Sequence, residues 1–104
     1  MIKKFRKGAR VPAVAEFIQD ENHYKMLGDN GYRFLYEVTS PSGSKYWEVF
    51  EHGHLYKASD AWYKSTSIQD GEEMYPTDED FGRWAWCWTS LERAKRCFGY
   101  KRPQ

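Results

Sequence analysis

The clearest pattern along the chain is an alternation of bulky and polar side chains over residues 32–51. In its first half the bulky side chains fall at every second position: Tyr32, Phe34, Tyr36 and Val38. A period of two is that of a β-strand, because successive side chains of a strand point to opposite faces. The sequence PSGS at 41–44 favours a turn, and the alternation resumes at Lys45. The pattern therefore predicts a β-hairpin over 32–51.

The second strand of this hairpin carries aromatic side chains on both of its faces. Trp47 and Val49 fall on one face, and Tyr46, Glu48 and Phe50 fall on the other. The bulky side chains of the hairpin cannot all share one core face, so we expect some of them at the surface. Tyrosine and tryptophan are favoured anchors of protein interfaces. The candidate contacts on this hairpin are Tyr36, Tyr46 and Phe50.

The last third of the chain predicts a strand that runs directly into a helix. Residues 83–88 (RWAWCW) alternate three tryptophans with other side chains, which is again a period of two. Thr89 precedes Glu92 by three residues, the spacing of a capping box at the start of a helix. The residues that follow place apolar side chains at helical spacing before a glycine. We expect a strand over 83–88 and a C-terminal helix over 90–98.

The three tryptophans must be covered by other atoms. Together their side chains would expose roughly 450–750 Å², whereas monomeric proteins rarely leave contiguous apolar patches above about 300–600 Å². In one interpretation the tryptophans form the core beneath the C-terminal helix. In the other, Ala85 and Cys87 receive the helix, and the tryptophans contact another chain or stacked bases. The sequence leaves both interpretations open.

The remaining segments give weaker patterns. Pro12 suits the first turn of a short N-terminal helix, and residues 52–76 show no period, which predicts a long irregular loop. We therefore expect an α+β fold, in which a small antiparallel sheet of three to four strands is packed by the C-terminal helix. Residues 1–10 form a basic arm that is able to stay flexible, and residues 11–104 form a single globular domain.

Composition places the chain among globular proteins of the cell interior. It has 104 residues, and an aromatic content of 18% is enough for a core without metal or disulfide staples. A mean hydropathy of -0.90 leaves no apolar run of the ~18 residues that a membrane span needs. The N-terminal sequence lacks the apolar centre of a signal peptide, and the two cysteines suit a reducing compartment. We expect a cytoplasmic protein without a membrane partner.

Charge is polarised along the chain although its net value is only +1. Basic residues crowd both ends, and an acidic stretch lies within residues 70–80. Such asymmetry favours nucleic acid or an acidic protein partner, but charged blocks are also common as solvated surface. A pI of about 7.8 counts against a dedicated nucleic-acid binder, which is usually strongly basic.

No motif in the sequence indicates a reaction. His52 and His54 are two imidazoles without a cysteine or carboxylate at metal-site spacing, and Cys87 and Cys97 lack CxxC spacing. The sequence also lacks the patterns of a nucleophile elbow, a phosphate-binding loop and a dinucleotide-binding turn. We therefore expect no enzyme activity, no metal and no cofactor.

Two classes of function follow from these patterns. The first is a non-enzymatic protein-interaction module, such as an accessory or inhibitor protein of phage or mobile-element type, that binds a macromolecular partner or itself. Its predicted contact residues are Tyr36, Tyr46, Phe50, Trp62, Asp78, Glu79 and Asp80. The alternative is a nucleic-acid-binding module, in which basic side chains neutralise phosphates and exposed aromatics stack on bases. Its predicted contact residues are Lys3, Lys4, Arg6, Lys7, Arg10, Arg93, Arg96, Lys101 and Arg102.

Overall fold

The computed structural model describes residues 2–6, 10–57 and 68–99, which form a six-stranded sheet with an α-helix packed on it. The strands are β1 (Lys3–Phe5), β2 (Glu16–Gln19), β3 (Asn22–Asp29), β4 (Arg33–Thr39), β5 (Lys45–Glu51) and β6 (Ala85–Trp88). A 3-10 turn (Asp78–Asp80) precedes β6, and helix α1 (Leu91–Gly99) follows it. Within these ranges no helix has the length and apolar character needed to cross a membrane.

The predicted sheet of three to four strands is wrong. β4, β5 and β6 correspond to the predicted hairpin and C-terminal strand, but β1, β2 and β3 extend the sheet on its other side. The strands lie in chain order across the sheet, and the sheet is mixed, because β1 pairs in parallel with β2 while all other neighbours are antiparallel. Part of the predicted basic arm thus lies in the sheet. The coarser assignment, a small α+β domain, agrees with the structure.

The predicted N-terminal helix is wrong, because β-structure takes its place. β2 is joined to β3 by a two-residue turn made of Asp20 and Glu21. Both residues have positive φ, 53° and 66°, as one of the tight turns of β-hairpins requires. Asparagine or aspartate followed by glycine usually occupies such turns. Asp20 fits this preference, but Glu21 stands where glycine is usual, so the signal in the sequence is weak.

The larger core lies on the face of the sheet that is covered by the part of the chain before β6 that contains Tyr75, Phe81 and Trp84, and we call it the loop-covered face. Phe17, Tyr36 and Phe50 of this face have no exposed surface. Tyr75 from the covering segment packs edge-on against all three rings, with 5.5 to 6.3 Å between ring centroids. The Tyr75 amide donates to the carbonyl of Val11 at 2.8 Å, which ties the segment to the N-terminal part of the chain.

Helix α1 covers the opposite face of the sheet, the helix-covered face. Ala94 is fully buried there, in a core with Leu35 and Val49. The ring of Phe98 lies directly over Gly28, where a Cβ atom would come within 2.9 Å of the Phe98 Cζ atom. Glycine at this position therefore allows the end of the helix to approach β3 closely.

Side chains outside the helix form a hydrogen bond with one backbone group near each of its ends. Ser90, rather than the predicted Thr89, caps the start, because its Oγ atom accepts a hydrogen bond from the Arg93 amide at 3.4 Å. At the other end, the Asn30 Nδ2 atom donates to the carbonyl of Phe98 at 2.9 Å. These bonds serve backbone groups that have no partner within the helix.

The three tryptophans of the C-terminal segment do not share one face. Trp86 and Trp88 lie half-buried beneath α1, which agrees with the interpretation that the tryptophans form the core beneath the C-terminal helix. Trp84 belongs to the core of the loop-covered face instead, because residues 82–84 form a turn and the alternation begins only at β6. The three tryptophans are therefore divided between the two cores of the protein.

Candidate binding cavity

Strand register places two tyrosines and a glutamate close together on the loop-covered face. Tyr24 of β3 and Tyr46 of β5 both pair with Val38 of the strand between them. Glu48 lies two residues beyond Tyr46 and is paired with Tyr36 of β4, so it points to the same face. The alternation along β5 thus puts a carboxyl group among aromatic side chains.

Tyr75 completes this group from the covering segment. Its hydroxyl donates a hydrogen bond to Glu48 Oε1, and its ring stands edge-on to Tyr24 with 5.3 Å between centroids. Tyr24 in turn stacks on Phe17 at 4.6 Å. The rings that carry these hydroxyls are packed into the core, which limits their movement and fixes the site.

A cavity of about 420 Å³ opens at these side chains, and we call it the tyrosine cavity. Its inner wall contains the buried side chains of Tyr24, Tyr75 and Glu48 and the partly buried side chain of Tyr46. Asp20 and Asp78 are exposed at its rim. Arg10 also lines the cavity, and its Nη1 atom lies 3.8 Å from Asp80 Oδ2.

The environment of Glu48 favours the neutral form of its carboxyl group. Glu48 is only 5% exposed, and this burial raises the pKa of its carboxyl to about 7. The hydrogen bond from Tyr75 opposes the rise in pKa, and the negative charge of Asp78 adds to it. The Glu48 carboxyl therefore keeps its proton to a higher pH than an exposed glutamate does.

The tyrosine hydroxyls of the cavity stay protonated at neutral pH. Burial raises the pKa of the hydroxyls of Tyr24, Tyr46 and Tyr75, and the nearby charge of Glu48 adds to each rise. A neutral hydroxyl can both donate and accept a hydrogen bond. The cavity thus combines three such hydroxyls with one carboxyl group that changes charge near neutral pH.

A short acidic turn (Asp78–Asp80) borders the cavity. Asp80 Oδ2 accepts hydrogen bonds from the amide and the hydroxyl of Thr77, at 2.9 and 3.0 Å. This capping box uses the Asp80 side chain internally, while Asp78 and Glu79 stay exposed. The turn therefore presents two carboxylates to solvent beside the cavity.

The structure brings together part of the predicted protein-contact set. Tyr46 and Asp78 line the tyrosine cavity. The acidic turn contains Glu79 and Asp80, which were predicted with them. These four residues come from β5 and from the segment before β6, so the fold joins positions that are about thirty residues apart in the chain.

Other members of that set do not reach a surface. Tyr36 and Phe50 are fully buried in the core of the loop-covered face, because Tyr75 packs over them. Their assignment as partner contacts is therefore wrong. Trp62 lies outside the described residues.

The predicted nucleic-acid contacts do not form one patch. Lys3 and Lys4 lie exposed on β1, at the opposite edge of the sheet from β6. Arg93 and Arg96 lie on α1, which contacts β4, β5 and β6. The two outer strands are five spacings apart, or roughly 24 Å. Of the remaining predicted residues, Arg6 is exposed, Arg10 lines the tyrosine cavity, and Lys7, Lys101 and Arg102 lie outside the described residues.

A shallow basic groove lies on the helix-covered face. It is lined by Trp86 and Trp88 of β6 and by Arg93 and Arg96 of α1. The buried Arg33 also lines it, with its guanidinium 4.6 Å from the ring of Trp86 and 3.5 Å from a carboxylate oxygen of Glu51. Arg93 and Arg96 are exposed, so they supply the accessible positive charge of the groove.

The histidines take structural contacts. His52 stacks on Phe34 at 3.9 Å and lies 2.7 Å from Asp29 Oδ1, whereas His54 stacks on Trp84 at 3.9 Å. Among residues 2–6, 10–57 and 68–99, no group of histidine, cysteine and acidic side chains has the arrangement of a metal site. The two imidazoles are therefore explained by ring packing and, for His52, by a hydrogen bond to Asp29.

Of the four central residues of the cavity, Tyr46 was a predicted contact, whereas Glu48, Tyr24 and Tyr75 were not. Glu48 had a visible signal, since it is the one charged residue on the Tyr46 and Phe50 face of its strand. Tyr24 and Tyr75 had none, because their contribution depends on how distant segments pack. A charged residue in an aromatic strand face is the pattern that could have located the site.

Comparison of the chain with protein-family models found no match, and comparisons with curated proteins and with solved structures found none either. The geometry and the chemistry of the tyrosine cavity therefore provide the basis for a functional proposal.

Proposed function

We propose that this protein is a non-enzymatic interaction module that binds a basic segment of a partner protein at the tyrosine cavity and the acidic turn. The observation that carries the proposal is the cavity itself, where a buried carboxyl group, three tyrosine hydroxyls and exposed carboxylates converge. A concave site with a few convergent polar groups and a perturbed pKa is the first candidate for binding in a protein.

The charge of the cavity favours a cationic partner. Glu48, Asp20 and Asp78 supply three carboxyl groups, whereas Arg10 is the basic residue among the described lining and lies 3.8 Å from Asp80. Tyrosine combines a large apolar ring with a hydroxyl, and it is enriched at the energetic centres of interfaces. Complementary charge would speed association with a basic segment and disfavour acidic partners.

The same proposal places the protein in the cytoplasm, as an accessory or inhibitor protein that acts by binding. Cys87 and Cys97 are free thiols. Cys87 lies opposite Glu48 on the loop-covered side, and Cys97 belongs to α1 and packs against the other side, so the sheet separates them. A reducing compartment suits two thiols that cannot form a disulfide with each other.

A pair of peptides of opposite charge tests this function. We expect a short oligolysine peptide to bind the protein, and an oligoglutamate peptide of equal length not to bind, when both are measured by isothermal titration calorimetry. Asp78→Asn should weaken oligolysine binding by roughly 2- to 5-fold, because an exposed ion pair contributes up to about 1 kcal/mol.

Glu37→Gln is the matched control for this experiment. Glu37 lies on the other side of the sheet, 3.2 Å from Lys45, so its removal changes the net charge equally without touching the cavity. Equal binding of both peptides, or an equal loss of affinity in Glu37→Gln and Asp78→Asn, would contradict the proposed function. Light scattering of the protein alone shows whether a second copy is the partner.

A second candidate function, nucleic-acid binding, is favoured by the basic groove. There Arg93 and Arg96 lie beside the half-buried rings of Trp86 and Trp88. Guanidinium groups pair well with phosphates, and indole rings stack on bases, a combination that suits single-stranded nucleic acid. We propose this function only as the alternative, because the basic residues at the β1 edge lie too far away to join the groove.

A short oligothymidylate tests the alternative. Binding at the groove should quench tryptophan fluorescence at low salt, and the double variant R93Q/R96Q should lower the salt slope by about 1.4 if each arginine neutralises one phosphate. The control variant K3Q/K4Q removes the same charge at the opposite edge and should leave the slope unchanged. An absence of quenching at low salt would remove this candidate.

A further inference from the structure

We infer that the tyrosine cavity selects the primary ammonium group of a lysine side chain, and that the Glu48 carboxylate is the group that receives it. This inference rests on the proposed function and narrows it from a basic segment to one kind of side chain. It follows from the placement of Glu48 within the cavity, from the hydrogen bond that one of its two carboxylate oxygens already accepts, and from the residues around it.

The inner wall of the cavity places the Glu48 carboxylate on the same face of the sheet as the tyrosine hydroxyls. Glu48 is 5% exposed and still contributes to the cavity wall, so a ligand must enter the cavity to reach it. Tyr24 and Tyr46 lie on the same face of the sheet as Glu48. Both pair with Val38, two residues along β4 from the residue that pairs with Glu48. An ammonium group carries three donors and no acceptor, so one carboxylate oxygen and two hydroxyl oxygens would suit it.

The hydrogen bond from Tyr75 disfavours arginine at this place. A guanidinium group is held best by two parallel hydrogen bonds to both oxygens of one carboxylate. Oε1 of Glu48 already accepts the hydroxyl of Tyr75 within the core, which hinders that arrangement. An ammonium group acts as a compact point charge and needs only one carboxylate oxygen.

The apolar part of the lining suits the stem of a lysine side chain. Val11, Pro76 and Phe81 line the cavity together with the ring of Tyr46. Lysine buries its methylene groups along apolar surface and extends its charge beyond them. A norleucine side chain could make the same apolar contacts, but it would leave the buried Glu48 carboxylate without a cation.

A metal ion is a poorer occupant than an organic cation. Calcium takes six to eight oxygen ligands, and magnesium requires an octahedral set. In the part of the chain that the structure describes, no three acidic, histidine or cysteine side chains are grouped in a way that could hold a metal ion. The cation that the cavity accepts is therefore expected to bring its own hydrogen-bond donors.

Recognition through Glu48 makes binding depend on pH. Only the ionised carboxyl pairs with an ammonium group, and burial raises the pKa of Glu48 to about 7. Above this pKa the Glu48 carboxyl is ionised in most protein molecules and can pair with the ammonium group. Below this pKa the carboxyl must first release its proton, which weakens binding. The groups that face Glu48 are Tyr75, Tyr24, Tyr46, Asp78 and Cys87, and the hydroxyls and the thiol stay neutral across this range because burial raises their pKa values.

Two blocked amino acids of nearly equal shape provide the test. Nα-acetyl-lysine methylamide and Nα-acetyl-norleucine methylamide are titrated into the full chain, and the ring resonances of Tyr46 and Tyr75 are followed by NMR. We expect saturable binding of the lysine probe alone, with affinity that rises about tenfold between pH ~6 and pH ~8. Glu48→Gln should weaken binding of the lysine probe and remove this pH dependence. Glu37→Gln should keep both the affinity of the wild type and its pH dependence.

Three results would overturn the inference: equal binding of the lysine and norleucine probes, stronger binding of the corresponding arginine probe, or lysine binding that is independent of pH in the unmodified protein. The pH series needs no substitution, so it remains decisive even if Glu48→Gln were to disturb the fold. If oligolysine still bound and Asp78→Asn still weakened it, the proposed function would stand without this inference. If neither peptide bound, the proposed function itself would fall.

Discussion

Glu48→Gln is expected to stabilise the protein at pH ~8 and to leave its stability nearly unchanged at pH ~4. The ordinary pKa of a glutamate is 4.5, and burial raises that of Glu48 to about 7 in the folded state. Between these values the unfolded chain releases its proton first, so the free energy of unfolding falls as pH rises from about 4.5 to about 7. Above pH ~7 the loss is complete and amounts to up to roughly 3 kcal/mol.

Glutamine avoids this loss because it stays neutral and its side-chain oxygen can still accept the hydroxyl of Tyr75. Urea denaturation of both proteins at several pH values checks the prediction. The two stability curves should meet near pH ~4 and separate towards pH ~8, with the variant above the wild type. Glu37→Gln should follow the pH dependence of the wild type, and a Glu48→Gln variant that is less stable at pH ~8 would contradict the account.

A residue that lowers stability at neutral pH needs an explanation other than folding. Glutamine or an apolar residue would fit position 48 with less electrostatic cost, since a buried charge is expensive unless it is paired. Carboxyl groups held in such environments cluster at functional sites, where stability is reduced for the sake of binding. A measured gain in stability on substitution would therefore distinguish a binding site from ordinary core packing.

Phe17→Ala is expected to destabilise the protein by about 3–5 kcal/mol, a large part of the total for a domain of this size. The side chain of Phe17 has no exposed surface, and its ring contacts Tyr24 at 4.6 Å and Tyr75 at 5.5 Å between centroids. Its removal leaves a void beneath two walls of the tyrosine cavity. Urea denaturation measures the loss, and lysine binding should weaken as well.

Ile18→Ala is the matched control for this substitution. Ile18 is the next residue of β2, so it points to the other face of the sheet, and it is only partly buried. We expect a loss of about 1 kcal/mol, because less apolar surface is removed from the interior. Similar losses in the two variants would mean that residues 16–19 do not form a strand with one buried face.

The elements that could be predicted from the sequence are those whose pattern is local. β4, β5 and β6 each alternate over four or more residues, and α1 follows with its own period and its terminal glycine. β1 and β2 contain only three and four residues and depend on pairing with distant segments. In β3 the alternation is broken by a bulge between Met26 and Gly28, which hides the strand from a search for period two.

The candidate site could be predicted only in part, for a related reason. Tyr46 and Asp78 were visible as an aromatic hairpin residue and as part of an acidic stretch. Their proximity depends on the return of the covering segment across the sheet, where Tyr75 reaches Glu48. Alternation showed that Glu48 shares a face with aromatic residues, but it did not show that this face is covered. Burial of Tyr36 and Phe50 by the same segment also explains why those two contacts were wrong.

Recognition of a cation in the tyrosine cavity requires that Glu48 is buried there and that its charge is available to a ligand. The most direct test is a titration of the protein labelled with ¹³C at the glutamate side-chain carboxyl, in which the Glu48 resonance is followed by NMR as pH is raised. We expect a midpoint of about 7 in the free protein, and a lower midpoint when the lysine probe is bound. A midpoint near the ordinary value of 4.5, unchanged by the probe, would contradict this expectation.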